Sequence, residues 1–122
     1  MAFSRKTTGN LGETLAADYL RQHGYDILAR NWRCATGEID IIARDGGTLV
    51  FVEVRTRHGA RLGSPEESIT PRKQAKLIAL AYEYLAAMDA PPADWRIDVV
   101  AVVLGRRNSV ERITHIPFAV GE

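Results

Sequence analysis

Residues 37–57 constrain the fold more than any other stretch of the chain. Two Ile- and Val-rich segments, 37–44 and 48–57, are joined through Asp45-Gly46-Gly47. Glycines accept the positive φ of tight primed turns, so the stretch predicts an antiparallel hairpin. Strand side chains alternate faces, which lets the hairpin be read face by face. One face carries Ile39, Ile41 and Ala43 with Val50, Val52 and Val54, and is apolar throughout. The other begins apolar at the turn with Ile42, Leu49 and Phe51, then becomes Glu38, Asp40, Glu53 and Arg55.

A two-residue turn at Gly46-Gly47 places Asp45 opposite Thr48, Asp40 opposite Glu53 and Glu38 opposite Arg55. A three-residue turn puts the two acids on opposite faces instead. Directly opposed residues have Cβ atoms about 4.5–5.5 Å apart, and like charges there are destabilising. Folding alone would favour Val or Thr, and local rules broken without compensation mark functional positions. A divalent cation is the compensation that fits. Mg²⁺ takes one or two carboxylates, keeps several waters and completes its shell with phosphate oxygens. Asp40 and Glu53 offer that partial cage, and Arg55, two residues on, shares their face and stands ready for a phosphate or an attacking water. The competing reading is two solvated strand ends, with Glu38–Arg55 an ordinary cross-strand ion pair.

The rest of the chain supplies helices and further strands. Asn10 precedes a stretch in which Leu11, Leu15, Tyr19 and Leu20 recur at helical spacing, and Gly24 stands where a C′ glycine ends a helix. Glu13 is then N3 to an Asn10 N-cap, the place of a capping-box glutamate; it is also placed to project toward the acidic end of the hairpin. Residues 25–33 read as a strand and 58–68, with Gly59, Gly63 and Pro65, as a loop. Thr70-Pro71 starts a second helix with Thr as N-cap and Pro at the first position. Its apolar face is Ala75, Leu77, Ile78, Ala81, Tyr84, Leu85 and Met88, and Pro91-Pro92 forbid continuation. Residues 95–104 are a near-continuous apolar run, as in a central strand covered on both faces, and 110–116 alternate as an edge strand. The strand–helix–strand connection has the length of a parallel crossover. The expectation is one α/β domain over 1–122, a mixed sheet of about five strands with flanking helices in the order α-β-β-β-α-β-β.

Composition removes several classes. The chain has 122 residues, one domain's worth, with 46% hydrophobic and 25% charged residues, as in ordinary globular proteins. Its 16 Lys+Arg nearly cancel 15 Asp+Glu, giving a net charge of +1, which excludes a wholly basic polyanion binder. The lone Cys34 cannot form an internal disulfide, so the fold tolerates a reducing compartment. No leader-like apolar segment follows Met1, and the longest purely apolar run, 99–104, is far short of the ~18 residues a membrane span needs. The expectation is a cytoplasmic protein with no membrane partner. Three scattered histidines and one cysteine lack zinc-ligand spacing, and neither a nucleophile elbow nor a P-loop occurs. Trp32 and Trp95 read as core anchors, and Asp98, flanked by apolar residues, has no assigned role.

Charge is nonetheless segregated. Arg55, Arg57, His58, Arg61, Arg72, Lys73 and Lys76 fall between the third strand and the first turns of the second helix, whose N-terminus itself favours phosphate. Arg5, Lys6, Arg30 and Arg33 form a weaker group. This predicts a basic rim around the acidic pair, with Lys73 and Gln74 reaching a phosphate from the first helical turn. The competing reading is a solvated face of mixed charge.

Several separately spaced motifs carry a family resemblance over almost the whole chain. Gly12-Glu13 with Ala16, Tyr19-Leu20 and Gly24-Tyr25 comes first, then Ala29-Arg30-Asn31-Trp32-Arg33 and Gly37-Glu38-Ile39-Asp40-Ile41-Ile42-Ala43-Arg44. Phe51-Val52-Glu53-Val54-Arg55-Thr56-Arg57, Thr70-Pro71-Arg72-Lys73-Gln74 and Arg96-Ile97-Asp98-Val99-Val100-Ala101 follow in order. Together they resemble the YraN family (UPF0102) of small bacterial proteins. That family in turn resembles the PD-(D/E)xK nucleases, with a restriction-endonuclease-like core similar to archaeal Holliday junction resolvases. The resemblance implies metal-dependent endonuclease chemistry with Mg²⁺ or Mn²⁺ at Asp40 and Glu53, Arg55 at the motif lysine, and Glu13 at the helix-one glutamate of resolvase-like members. It implies DNA rather than RNA as substrate, branched DNA included, and a homodimer by analogy. Arg55 departs from the pattern: arginine is always protonated, so it orients or neutralises rather than acting as a base, and water activation falls to the metal. The alternatives are a nucleic-acid-binding module on the same fold without turnover, and a protein-interaction adaptor.

Overall fold

The computed structural model describes residues 5–59 and 69–120. Arg61, Gly63 and Pro65 of the expected loop lie outside them. The elements run α1 (Arg5–Gln22), β1 (Asp26–Cys34), β2 (Gly37–Asp45), β3 (Thr48–His58), α2 (Pro71–Ala86), β4 (Asp94–Leu104) and β5 (Val110–Val120), with a short 3₁₀ turn at Arg106–Asn108. The five strands form one sheet in sequence order, and β5 is an edge as expected. Antiparallel pairing joins β1–β2, β2–β3 and β4–β5, whereas β3 and β4 are parallel through the α2 crossover. This is the expected mixed α/β architecture.

The two helices cover opposite faces of the sheet because alternate residues of each strand point to opposite sides. Ala16, Ala17 and Leu20 of α1 pack on Ile41, Ala43, Val50, Val52, Val100 and Val102. Leu77, Leu80 and Ala81 of α2 pack on Ile42, Leu49, Phe51 and Ile97. Trp32 and Trp95 join the second layer, edge-to-face with Tyr84 and Phe51 respectively, as core anchors. Each fully buried aliphatic side chain contributes about 1.5–3 kcal/mol.

Local chemistry sets the helix ends. Thr70 accepts the Lys73 N–H at 3.1 Å and Pro71 opens α2, as the sequence predicts. Gly24, at φ +87°, closes α1: Tyr25 N–H donates to Leu20 O and Gly24 N–H to Arg21 O, the paired bonds of a Schellman ending. The start of α1 differs from expectation. The helix already runs from Arg5 through Gly9 and Asn10, so Asn10 is not an N-cap and Glu13 is not a capping-box residue but lies in the helix interior. Packing of the Ala16–Leu20 face overrides the poor propensity of Gly9 and Asn10, roughly 0.5–1 kcal/mol each.

A second correction concerns β2. Ile39 was expected with Ile41 and Ala43, but it packs in the α2 layer with Ile42 and Trp32. The flip occurs at Asp40 and at Asn31, which fall between the paired rows Arg30↔Ile41 and Trp32↔Ile39. Asn31 takes the left-handed region at φ +54°, so both strands change face together. The β2–β3 ladder also ends here, its last row being Ile41↔Val52.

A fork of carboxylates between the second and third strands

The hairpin closes as the two-residue turn predicts, with Asp45 opposite Thr48. Counting along that register brings Asp40 beside Glu53, at the point where the backbone ladder stops. Asp40 replaces the missing rung: its Oδ2 accepts the Val54 N–H at 2.8 Å. The two strands therefore fork with a carboxylate at the crotch. Glu53, only 7% exposed, sits on the same face as Phe51 and pairs through its backbone with Val99 of β4.

The carboxyls of Asp40 and Glu53 are in hydrogen-bonding contact. Burial, and then the Glu53 charge, push the Asp40 carboxyl up to about 8, against the Val54 N–H that stabilises its anion. Near neutrality the pair thus holds a proton where two bare charges would repel. Glu53 Oε2 also meets two cations: Lys73 Nζ at 3.3 Å from the first turn of α2, and Arg55 Nη1 at 4.0 Å from β3.

Glu13 reaches the same region from α1. Helix and strand approach so closely that a Cβ on Gly12 would stand 1.9 Å from Thr56 Oγ1. Only glycine permits that contact, and it carries the next residue, Glu13, into the interior at 7% exposure. Burial raises the Glu13 carboxyl above its ordinary value, while Arg30, with Nε at 3.6 Å, opposes the shift. Among the described residues Glu13 Oε1 makes no hydrogen bond. Its charge is felt at Asp40.

The remaining predicted site residues are placed less centrally. Glu38 pairs with Arg33 at 3.2 Å along the β1–β2 ladder, where the competing reading sets it against Arg55; the paired rows of β2 and β3 end before that point. Arg57 and Arg72 are exposed on β3 and α2. Lys76 lies against Gly37, whose ideal Cβ would stand 3.2 Å from its Cε. Gln74 turns back to donate to Ile69 O at 3.1 Å, a partner the phosphate-contact reading did not foresee. Sequence reasoning assigned Lys73 to phosphate alone and missed its contact with Glu53; the helix start at Thr70-Pro71 was the available signal. Arg30, the partner of Glu13 and of Thr14 Oγ1 at 3.0 Å, had none beyond its place opposite Ile41.

A divalent cation fits this fork. Two carboxylates in contact share a position that a proton fills at neutral pH, an ammonium already rests against one of them, and the nearby buried Glu13 Oε1 stands 3.6 Å from Arg30 Nε with no hydrogen bond. Among the described residues no three His, Cys, Asp or Glu side chains form a ready-made metal cage. Asp40 and Glu53 would therefore be the protein ligands, leaving positions for water and substrate, the ligation Mg²⁺ and Mn²⁺ accept.

Comparison with known proteins places the whole fork inside a matched region. The model of a family described as "Uncharacterised protein family UPF0102" matches residues 12–102. A UPF0102 protein of Roseiflexus castenholzii is 55% identical, the match covering 100% of this chain and 99% of the relative. Similar proteins of Chloroflexus aurantiacus, 49% identical over 100% of this chain and 99% of the relative, and of Pelotomaculum thermopropionicum, 45% identical over 98% and 99%, carry the same description.

Proposed function

This chain belongs to the uncharacterised protein family UPF0102, and we propose that it is a metal-dependent endonuclease acting on phosphodiester bonds of DNA. The observation that carries the reading is the buried Asp40–Glu53 contact, placed where a strand ladder forks and flanked by Lys73 and Arg55. Such an arrangement costs stability as a structural element and gains from a cation. Asp40 and Glu53 would hold Mg²⁺ or Mn²⁺, which when bound supplies Lewis-acid stabilisation of phosphate charge and activation of the attacking water.

The other residues act around that pair. Asp40 would give up its proton in holding a cation, while the Val54 N–H keeps its carboxylate oriented. Glu13, whose Oε1 faces Arg30 Nε at 3.6 Å without a hydrogen bond, would offer that oxygen to the site's water from the α1 side. Arg55, charged at all working pH values, neutralises a phosphate without moving protons. Lys73 rests on Glu53 and would be free to turn to phosphate with a cation held at that carboxylate. Arg57 and Arg72 hold the backbone on either side, and the near-neutral net charge is then two opposite sites cancelling.

The test is cleavage by the purified full chain, with and without Mn²⁺, on single-stranded, duplex and four-way-junction DNA, beside Asp40→Ala. Mn²⁺-dependent cleavage that vanishes with Asp40→Ala supports the reading. Metal-independent binding without cleavage replaces it with a non-catalytic module, and no DNA affinity at low salt replaces it with an adaptor.

A further inference from the structure

The parallel strands β3 and β4 end together, His58 beside Leu104, and Gly59 N–H donates to Leu104 O at 2.9 Å. The chain then reverses through residues 105–109 into β5. That turn is closed twice, by Gly105 N–H to Ser109 O at 2.7 Å and Ser109 N–H to Arg106 O at 3.0 Å. Arg107 and Asn108 both sit in the left-handed region, at φ +55° and +56°. Asn tolerates that conformation, but for an arginine it costs about 1–2 kcal/mol, where glycine would cost nothing. The strain is held from across the sheet by the hydrogen bond between Asn108 Oδ1 and His58 Nε2. Strained backbone kept by its surroundings is characteristic of functional positions.

What the turn achieves is the display of two successive exposed arginines, Arg106 and Arg107, just past the end of β4, which lies beside the end of β3, the strand that bears Glu53, Arg55 and Arg57. Sheet register extends the display sideways. Arg57 pairs with Val103, and Val103 with Arg112 of β5, so Arg57 and Arg112 flank one buried valine on the face that carries Glu53. Glu111, whose carboxylate lies over Gly105, is the acid of this turn. The patch stands five residues along β3 from Glu53, about 17 Å at strand rise. Along duplex DNA that spans about five base pairs at 3.4 Å each.

We propose that the β4–β5 turn is a second phosphate clamp, in which Arg106 and Arg107, with Arg57 and Arg112, grip duplex DNA about five base pairs from the phosphate at the acidic fork. The inference rests on the nuclease reading above and deepens it, since it names the surface that sets where the duplex lies. Two arginines fixed by a stapled turn lose little freedom on binding, whereas mobile lysines would lose more.

The test uses the full chain and a 30-base-pair duplex, with Ca²⁺ in place of Mn²⁺ to hold off cleavage, and reads binding by fluorescence anisotropy across a salt series. Arg106→Gln with Arg107→Asn removes both charges while leaving the left-handed position a residue that accepts it. The expected result is roughly tenfold weaker binding and a log–log salt slope shallower by about 1.8, with an unchanged thermal midpoint. Arg21→Gln, at the far end of α1, changes neither. If the double variant loses its fold, Arg106→Gln alone decides, with an expected slope change of about 0.9. Wild-type affinity and slope in the variants overturn the clamp and leave the nuclease reading standing. Failure of the wild type to bind duplex overturns the clamp as well, and the nuclease reading then falls only if cleavage of single-stranded and junction DNA also fails.

Discussion

The sheet buries carboxylates in two places, and they are treated in opposite ways. Asp98 on β4 is fully buried, yet every oxygen is matched: Arg96 Nε donates at 3.0 and 3.3 Å, and His115 Nε2 stands at 2.7 Å. Arg96 continues to Tyr25 Oη at 2.7 Å and to Asp45 at 3.3 Å, so one guanidinium ties the starts of β1 and β4 to the end of β2. At the β2–β3 fork one acid stands against another, and the third, Glu13, has its buried Oε1 3.6 Å from Arg30 Nε with no hydrogen bond. Asp98 has Arg96 and His115 beside it and Glu53 has Lys73 and Arg55; what sets the fork apart is the second acid in contact with the first, which no structural role requires. The Asp98 network is therefore read as a structural clasp and the fork as the reactive place.

That contrast predicts different fates for equivalent substitutions. Asp40→Asn keeps an acceptor for the Val54 N–H but removes the shared proton site. Cleavage is expected to fall roughly a thousandfold, the scale of the several kcal/mol a metal supplies, in a single-turnover assay. Stability moves the other way. Asp40 is protonated up to about pH 8 when folded but only to an ordinary 3.8 otherwise, so the folded state holds the extra proton between those values. Metal-free wild type should lose stability as pH rises through that window. Asp40→Asn should flatten the trend and melt several degrees higher at pH 8, read by circular dichroism. Equal pH slopes for the two proteins would break the comparison.

Asp98→Ala should do the reverse. Arg96 loses a buried counter-charge and His115 a hydrogen-bond partner, with an expected loss of about 3–5 kcal/mol in urea denaturation. Whatever protein remains folded should keep its metal dependence. Gly12→Ala tests the helix approach that delivers Glu13: a methyl against Thr56 should cost about 1–3 kcal/mol and lower cleavage at unchanged DNA affinity. The smallest effect is expected from Lys73→Met. Removing the ammonium from Glu53 should tighten Mn²⁺ binding a few-fold while weakening DNA binding by one phosphate contact, a slope change of about 0.9.

Legibility in the sequence followed the range of the interactions involved. The Asp45-Gly46-Gly47 turn, the Thr70-Pro71 helix start and the Gly24 helix stop are decided by backbone chemistry within a few residues, and all three stand as read. The Asp40–Glu53 contact was legible because an antiparallel register propagates from a tight turn. The start of α1 was not, because tertiary packing overrode Gly9-Asn10. The face flip at Asp40 was hidden for a related reason: strict alternation assumes a continuous ladder, and here a side chain replaces a rung. The Asp98 clasp leaves no local signal, since it joins elements far apart in the chain, and for the pairing of Lys73 with Glu53 the Thr70-Pro71 helix start fixes where Lys73 begins but not which strand it meets.

The central claim is that Asp40 and Glu53 form a cation site. Isothermal calorimetry of Mn²⁺ binding to the DNA-free protein, run at neutral pH in two buffers of different ionisation enthalpy, tests it most directly. Wild type is expected to bind one Mn²⁺ and release a proton from the acid pair, with Asp40→Asn abolishing both and Asp98→Asn neither. Absence of binding by wild type, or equal binding by Asp40→Asn, would contradict the account.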